Sequence, residues 1–327
     1  MNASLYSVNA TAILRHFNGL TVWQRRHERA PHKPLLALWA IGRCLRGCAR
    51  LVDYKTVHTE LGALLKKFGP SRQNYKPQEP FWRMQKDGIW QVPSAEQVRV
   101  QSNGSVAPTE LRKLGIVGGL TTPIHELFRR DSAKALEVAH LLLDAHFPET
   151  LHRAILEETI GDCLFDTNRV ADSKVELDKS ELLKSTYVRR RRNPKFRRKI
   201  LETYAFRCAV CEFSLEFPNG TWPALEAAHI MWHSCLGPDD TNNGISLCVV
   251  HHELFDWGAF TILPDSLRVV VSRALLRRKS RDSIRQFHGS PLSVSAKHTD
   301  DRPADAFLNW HARNVFKDNR LPEMKAG

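Results

Sequence analysis

Two short pairs of soft ligands stand close together in the second half of the chain, Cys208-Ala-Val-Cys211 and Cys248-Val-Val-His251. In each pair two donors can grip one ion, and four thiolate or imidazole donors suit tetrahedral zinc. With all four positions filled by protein, such an ion has no place for substrate and is structural. A lone Cys-x-x-Cys is weak evidence, but two matched pairs in one short segment argue against ordinary core cysteines. Between the pairs lie Leu225-Glu226-Ala227-Ala228-His229-Ile230, an apolar strand-like run that presents a histidine, and then the loop from Gly237 to Gly244. After them comes His252-Glu253-Leu254-Phe255-Asp256. Histidines at 229 and 252 are of a type that can act as a base or hold a metal ion.

From about Arg189 to Phe260 the sequence resembles the HNH endonuclease family: His229 matches the first H, Asn243 (five before Cys248) the N, and His252 the last H. The resemblance implies a ββα-metal fold, two strands and a helix around a divalent ion. It makes His229 the general base and His252 a ligand of a catalytic Mg²⁺ or Mn²⁺. Asn243 would hold the loop or orient His229 by a side-chain hydrogen bond. The family often has a second metal ligand, Asp or His, just before the base, where this chain has Ala228. Glu226, on the same strand face, is the expected substitute, with Asp256 next in line. His233 and Cys235 read as loop surface, and His311 as a packed surface residue.

The chain of 327 residues is long enough for two modest domains and a connection. Hydrophobic residues make up 42% and charged residues 25%, which allows a buried core and argues against general disorder. A net charge of +13 and a pI near 9.6 favour a polyanionic partner, and nucleic acid is preferred to a membrane because no basic amphipathic helix is evident. No apolar run spans a bilayer and Met1 to Thr11 lacks signal-peptide features, so a cytoplasmic protein with no membrane partner is expected. Cys44 and Cys48 lie in an apolar helical run and are expected to be core. The seven cysteines as a set suggest metal ligands and buried thiols rather than disulfides.

The elements that must position these groups are legible in part. Pro34 opens an apolar helical run through Trp39 and Ile41, which puts His32 and Lys33 at a helix N-terminus. Residues 81–84 and 89–92 flank Lys86-Asp87-Gly88 and read as a hairpin. Asp131 or Ser132 caps a helix that Pro148 ends. A polar linker follows and closes on Arg189-Arg190-Arg191-Arg192, with Arg190 and Arg191 assigned to phosphate contact. Beyond the nuclease motif, 260–262 and 267–271 read as strands and 307–311 as a helix.

The first domain is also similar to a known family. Arg29-Ala-Pro-His32-Lys33-Pro34, Gln78-Glu79-Pro80-Phe81-Trp82-Arg83-Met84 and Gly118-Gly119 resemble the sulfur-binding domain of restriction enzymes that recognise phosphorothioated DNA, over roughly residues 10 to 160. Sulfur is larger and more polarisable than oxygen, so a shallow apolar pocket beside a cation is expected. Pro80 and Phe81 would form its wall, helped by Tyr75 because Glu79 stands where the family commonly has tyrosine. Arg29, His32, Lys33, Arg83 and Arg112 are the cationic candidates for phosphate or base-edge contact. Core packing is the expectation for Trp82 and Trp90.

The fold expected is α+β: a mixed DNA-recognition domain over 1–162, a linker over 163–193 and a zinc-containing HNH domain over 194–327. The function expected is a type IV restriction endonuclease that binds phosphorothioated double-stranded DNA and cuts nearby, as a homodimer. The alternatives are the same nuclease directed at methylcytosine, or a non-catalytic zinc-containing DNA-binding regulator.

Overall fold

The computed structural model describes residues 10–20, 30–161, 194–275, 284–293 and 301–318. They fall into two compact units, the first holding most of residues 10–161 and the second residues 69–73 and everything described from 194 onward. The expected linker and Arg29, Arg190 and Arg191 lie outside the described residues.

The first unit is built from α1 (Ala10–Asn18), α2 (His32–Leu45), β1 (Val52–Asp53), α3 (Tyr54–Phe68), α4 (Gln78–Arg83), β2 (Trp90–Gln91), α5 (Pro108–Lys113), β3 (Val117–Leu120), α6 (Thr122–Arg130), α7 (Ser132–His146) and α8 (Glu149–Thr159). Leu35 through Ile41 are all buried, so α2 is apolar all round and forms the centre on which α3, α6, α7 and α8 pack. Gly42 allows the closest of these approaches, since a Cβ there would lie 1.8 Å from the Thr159 carbonyl oxygen. Asp131 caps α7, its carboxylate accepting from the Lys134 N–H at 2.9 Å. The small antiparallel sheet has the order β1-β3-β2.

The expected hairpin around Gly88 does not form. Residues 78–83 are helical and 84–87 continue as a 3-10 turn, which ends at Gly88 with φ 73°. Trp90 pairs instead with Leu120 of β3. Local alternation was overridden because Phe81 and Met84, three residues apart, are both fully buried, which is helical spacing.

The second unit begins with α9 (Pro194–Thr203) and continues with β4 (Leu225–His229), β5 (Gly244–Cys248), α10 (Val249–Asp256), β6 (Phe260–Ile262), β7 (Val269–Val271) and α11 (Asp305–Asn314). β4 and β5 pair antiparallel, with Leu225 opposite Cys248 and His229 opposite Gly244, and α10 follows β5 without a break. The two strands and helix thus form a ββα unit. Ile200, Ala228, Ile245, Leu247, Phe255 and Phe260 are fully buried in its apolar core. α11 and the β6–β7 pair are present as the sequence suggests. His311 differs from expectation: it is completely buried, stacked on Phe255 at 3.7 Å and hydrogen-bonded to Thr261 Oγ1 and the Phe255 carbonyl. Burial pushes its pKa down to about 4, so the ring is neutral.

Candidate nuclease and metal site

The β4–β5 register places two sites at opposite ends of one strand pair. At the Cys248 end, the knuckle after α9 supplies Cys208 and Cys211. It closes by the Glu212 N–H donating to the Cys208 carbonyl at 2.8 Å and the Cys208 N–H donating to the Phe213 carbonyl at 2.9 Å, with Glu212 at φ 58°. Cys248 ends β5 and His251 lies in the first turn of α10. One ligand atom from each of Cys208, Cys211, Cys248 and His251 lies within 4.8 Å of all the others. His251 Nδ1 is 3.5 Å from Cys208 Sγ and 3.3 Å from Cys248 Sγ. A tetrahedral zinc with ordinary bond lengths would set such an edge at about 3.6 Å. The donor set and its spacing therefore fit zinc.

His252 follows His251 but points elsewhere, because successive residues on a helix are turned by about 100°. It is buried, with Nδ1 2.6 Å from Glu226 Oε2 and Nε2 3.3 Å from Asp256 Oδ2. Burial alone would lower its pKa, but Asp256 and then Glu226 outweigh burial and push it up to about 9. Asp256 also accepts from Trp232 Nε1 at 2.8 Å. Ala228 is fully buried in the apolar core and offers nothing to an ion, whereas Glu226 reaches His252. The two carboxylates approach opposite nitrogens of the ring. Glu226 and His252 could hold a divalent ion only with the ring deprotonated, its lone pair and the Glu226 carboxylate then supplying the protein ligands.

At the far end of β4, His229 stacks on Phe196 of α9 at 4.2 Å, and its Nε2 is 2.8 Å from Asp239 Oδ1. Burial lowers its pKa, Asp239 opposes this, and His233 adds to the lowering. Its neutral form is therefore favoured, as a base requires. Asn243 is fully buried and holds the loop rather than the ring: its Oδ1 accepts from the Met231 N–H at 2.8 Å, and its Nδ2 donates to the carbonyls of Met231 and Pro238 at 3.1 and 2.9 Å. Gly237 permits this closure, since a Cβ there would sit 1.8 Å from the Met231 carbonyl oxygen. His233 is exposed and Cys235 half-buried in the same loop. The sequence reading gave no role to Asp239 or Phe196. The only sequence signal for Asp239 was its place in a loop rich in Gly, Pro and Asp.

The recognition candidates of the first unit do not converge in the same way. His32 and Lys33 do begin α2, but Lys33 Nζ is held 2.6 Å from Asp87 Oδ2 in a largely buried ion pair. Arg83 pairs with Glu79 at 2.6 Å and also donates to the Asn103 carbonyl. Burial would raise the Glu79 pKa, yet its hydrogen bonds from Arg83 and Ser105 lower it. Arg112 is exposed and lies 2.9 Å from His58 Nε2. Tyr75 is half-buried. Phe81 is not a pocket wall: it is fully buried, edge-on to Tyr54 and Trp90. Pro80 is buried beside it, Trp90 is core and Trp82 is half-buried.

The fold and this site define the class: a zinc-type cluster stapling a ββα unit that carries an HNH histidine pair. Residues 208–263 match the family model of the HNH endonuclease, and residues 10–161 match that of the ScoMcrA-like DNA sulfur-binding domain. The chain therefore joins a ScoMcrA-like DNA sulfur-binding domain to an HNH endonuclease domain. Among solved structures it is similar to the sulfur binding domain of ScoMcrA complexed with phosphorothioated DNA, at 25% identity over 45% of this chain and 94% of that one, with TM-score 0.41. It is similar also to the sulfur binding domain of SprMcrA complexed with phosphorothioated DNA, at 24% identity over 49% of this chain and 99% of that one, with TM-score 0.40. The Type IV phosphorothioation-dependent restriction endonuclease ScoMcrA matches at 24% identity and TM-score 0.39 over 46% of this chain, which spans 28% of its length. No curated protein matches the chain. Among the described residues no helix is long and apolar enough to cross a membrane.

Proposed function

We propose that this chain is a modification-dependent restriction endonuclease of type IV, which binds phosphorothioated double-stranded DNA through its first domain and hydrolyses phosphodiester bonds nearby with its second. The observation that carries the reading is the presence, in one basic chain, of a segment matching the DNA sulfur-binding family and a segment matching the HNH endonuclease family. In this reading the recognition domain spans 1–162, a linker 163–193 and the nuclease domain 194–327.

In this reading Zn²⁺ at Cys208, Cys211, Cys248 and His251 is structural. His229 takes the proton of the attacking water, whose oxygen bonds to phosphorus as the bond to the leaving oxygen breaks. Asn243 shapes the loop beside it. Glu226 and His252 would hold the catalytic Mg²⁺ or Mn²⁺, which when bound neutralises charge on the phosphate. His32, Lys33, Tyr75, Arg83 and Arg112, with Arg29, Arg190 and Arg191, would contact DNA. A homodimer would bring two modules to two strands, and the cytoplasm is where such a nuclease meets DNA.

The test is cleavage of matched duplexes differing only in the phosphorothioate, with magnesium or manganese. Cutting of the modified duplex alone is expected. Equal cutting of both would end the specificity half of the proposal, and cutting of neither would end the enzymatic half.

A further inference from the structure

Among the groups around His229, Asp239 is the one to which neither the HNH motif nor the sequence assigned any work. We infer that Asp239 is the positioning residue of the base, and that Asn243 acts on His229 through it. This rests on the nuclease reading above.

The argument begins with the imidazole. A carboxylate can only accept, so the 2.8 Å contact from Asp239 Oδ1 requires the proton to reside on Nε2 of His229. Nδ1 then carries the lone pair, and among the described residues it makes no hydrogen bond. Phe196 fixes the plane of the ring by stacking at 4.2 Å, but a stacked ring can still turn within that plane, and the Asp239 contact removes this freedom. Stack and carboxylate together leave one nitrogen, in one direction, able to take a proton from water.

Asp239 must itself be held. The residue before it, Pro238, has its carbonyl pinned by Asn243 Nδ2 at 2.9 Å, and the Asn243 N–H donates to the carbonyl of Asp240, the residue after it, at 2.9 Å. Gly237 closes the turn with its N–H to the Trp232 carbonyl at 3.0 Å. Asn243 also bonds Met231 through both side-chain atoms. One buried asparagine thus ties the loop on both sides of Asp239. No side-chain hydrogen bond joins Asn243 to His229 among the described residues, so its influence on the base passes through this loop.

The test uses the full chain with Asp239→Ala and Asp239→Asn. In the zinc-loaded protein, the ring nitrogens of His229 are assigned by NMR after ¹⁵N-histidine labelling. Cleavage is then measured as kcat and KM on phosphorothioated duplex. Wild type should show the Nε2–H form, and Asp239→Ala a mixture of tautomers. Its kcat should fall by 10- to 100-fold with KM within about threefold, since the loss is confined to a proton transfer. Asp239→Asn keeps an acceptor without the charge, so it should retain the tautomer and lose less kcat. Among the described residues the other titratable groups that act on His229 are His233 and Asp256. Both are untouched, and the low-pH limb of kcat should move to lower pH in Asp239→Ala because the carboxylate favouring imidazolium is gone. Unchanged kcat or an unchanged tautomer in Asp239→Ala overturns the inference. If wild type cuts no DNA, the nuclease reading falls, and the tautomer measurement still decides whether Asp239 orients His229.

Discussion

The two units treat their charged and ligating residues in opposite ways. In the nuclease unit, groups far apart in sequence converge: Cys208 and His251 meet across 43 residues, and Glu226 and His252 across 26. In the recognition unit each cation is instead bound up singly with one internal partner, Lys33 with Asp87 and Arg112 with His58 across 54 residues each, and Arg83 with Glu79 across four. The difference follows from what each must hold. A metal or an attacking water is a point, and donors must surround it. A DNA backbone is a long surface, which cations can meet one at a time after an internal partner has fixed their direction.

The sharpest way to break this contrast is to remove the point. Stripping zinc with a strong chelator, or replacing Cys208 by Ser, should abolish the cooperative melting of the nuclease unit, since a structural zinc contributes on the order of 10 kcal/mol to folding. Zinc content and calorimetry check this, and the melting of the recognition unit should remain. His229→Ala should lower the cleavage rate by about 10²- to 10⁴-fold while gel-shift affinity stays unchanged. Surviving cleavage would mean that the base lies elsewhere.

In the recognition unit the largest effect should come from Asp87→Ala. It strands the Lys33 ammonium where only 14% of the side chain is exposed, and should cost about 3–5 kcal/mol in thermal or urea unfolding. Such a loss with little change in the DNA affinity of the protein that remains folded would make Lys33 a structural cation.

The buried His311 supplies a pH test. Its folded pKa of about 4 lies below its ordinary 6.5, so the folded state binds fewer protons than the unfolded state between these values. Stability should fall as pH drops through that window, by about 3 kcal/mol in full. His311→Gln should flatten this part of the profile. Arg112→Ala, at an exposed position, is expected to have the smallest effect: less than about tenfold in DNA affinity, with the salt slope reduced by about one if Arg112 touches a phosphate.

The sequence by itself determined the two ligand pairs that could hold zinc and the positions that match the HNH motif, because two ligands on one turn or knuckle must lie close whatever the rest of the chain does. It also determined α7 and the existence of strands β6 and β7, whose caps and apolar runs are local. Tertiary structure alone decided that Phe81 belongs to the core, that 78–87 is helical, and that His311 is sealed against Phe255. Each depends on partners distant in sequence, which no local pattern specifies. It also decided the reach of Glu226 to His252 and of Asp239 to His229, since these distances are set by strand register and loop closure. Residue types fix what chemistry is available, and packing fixes which atoms face one another.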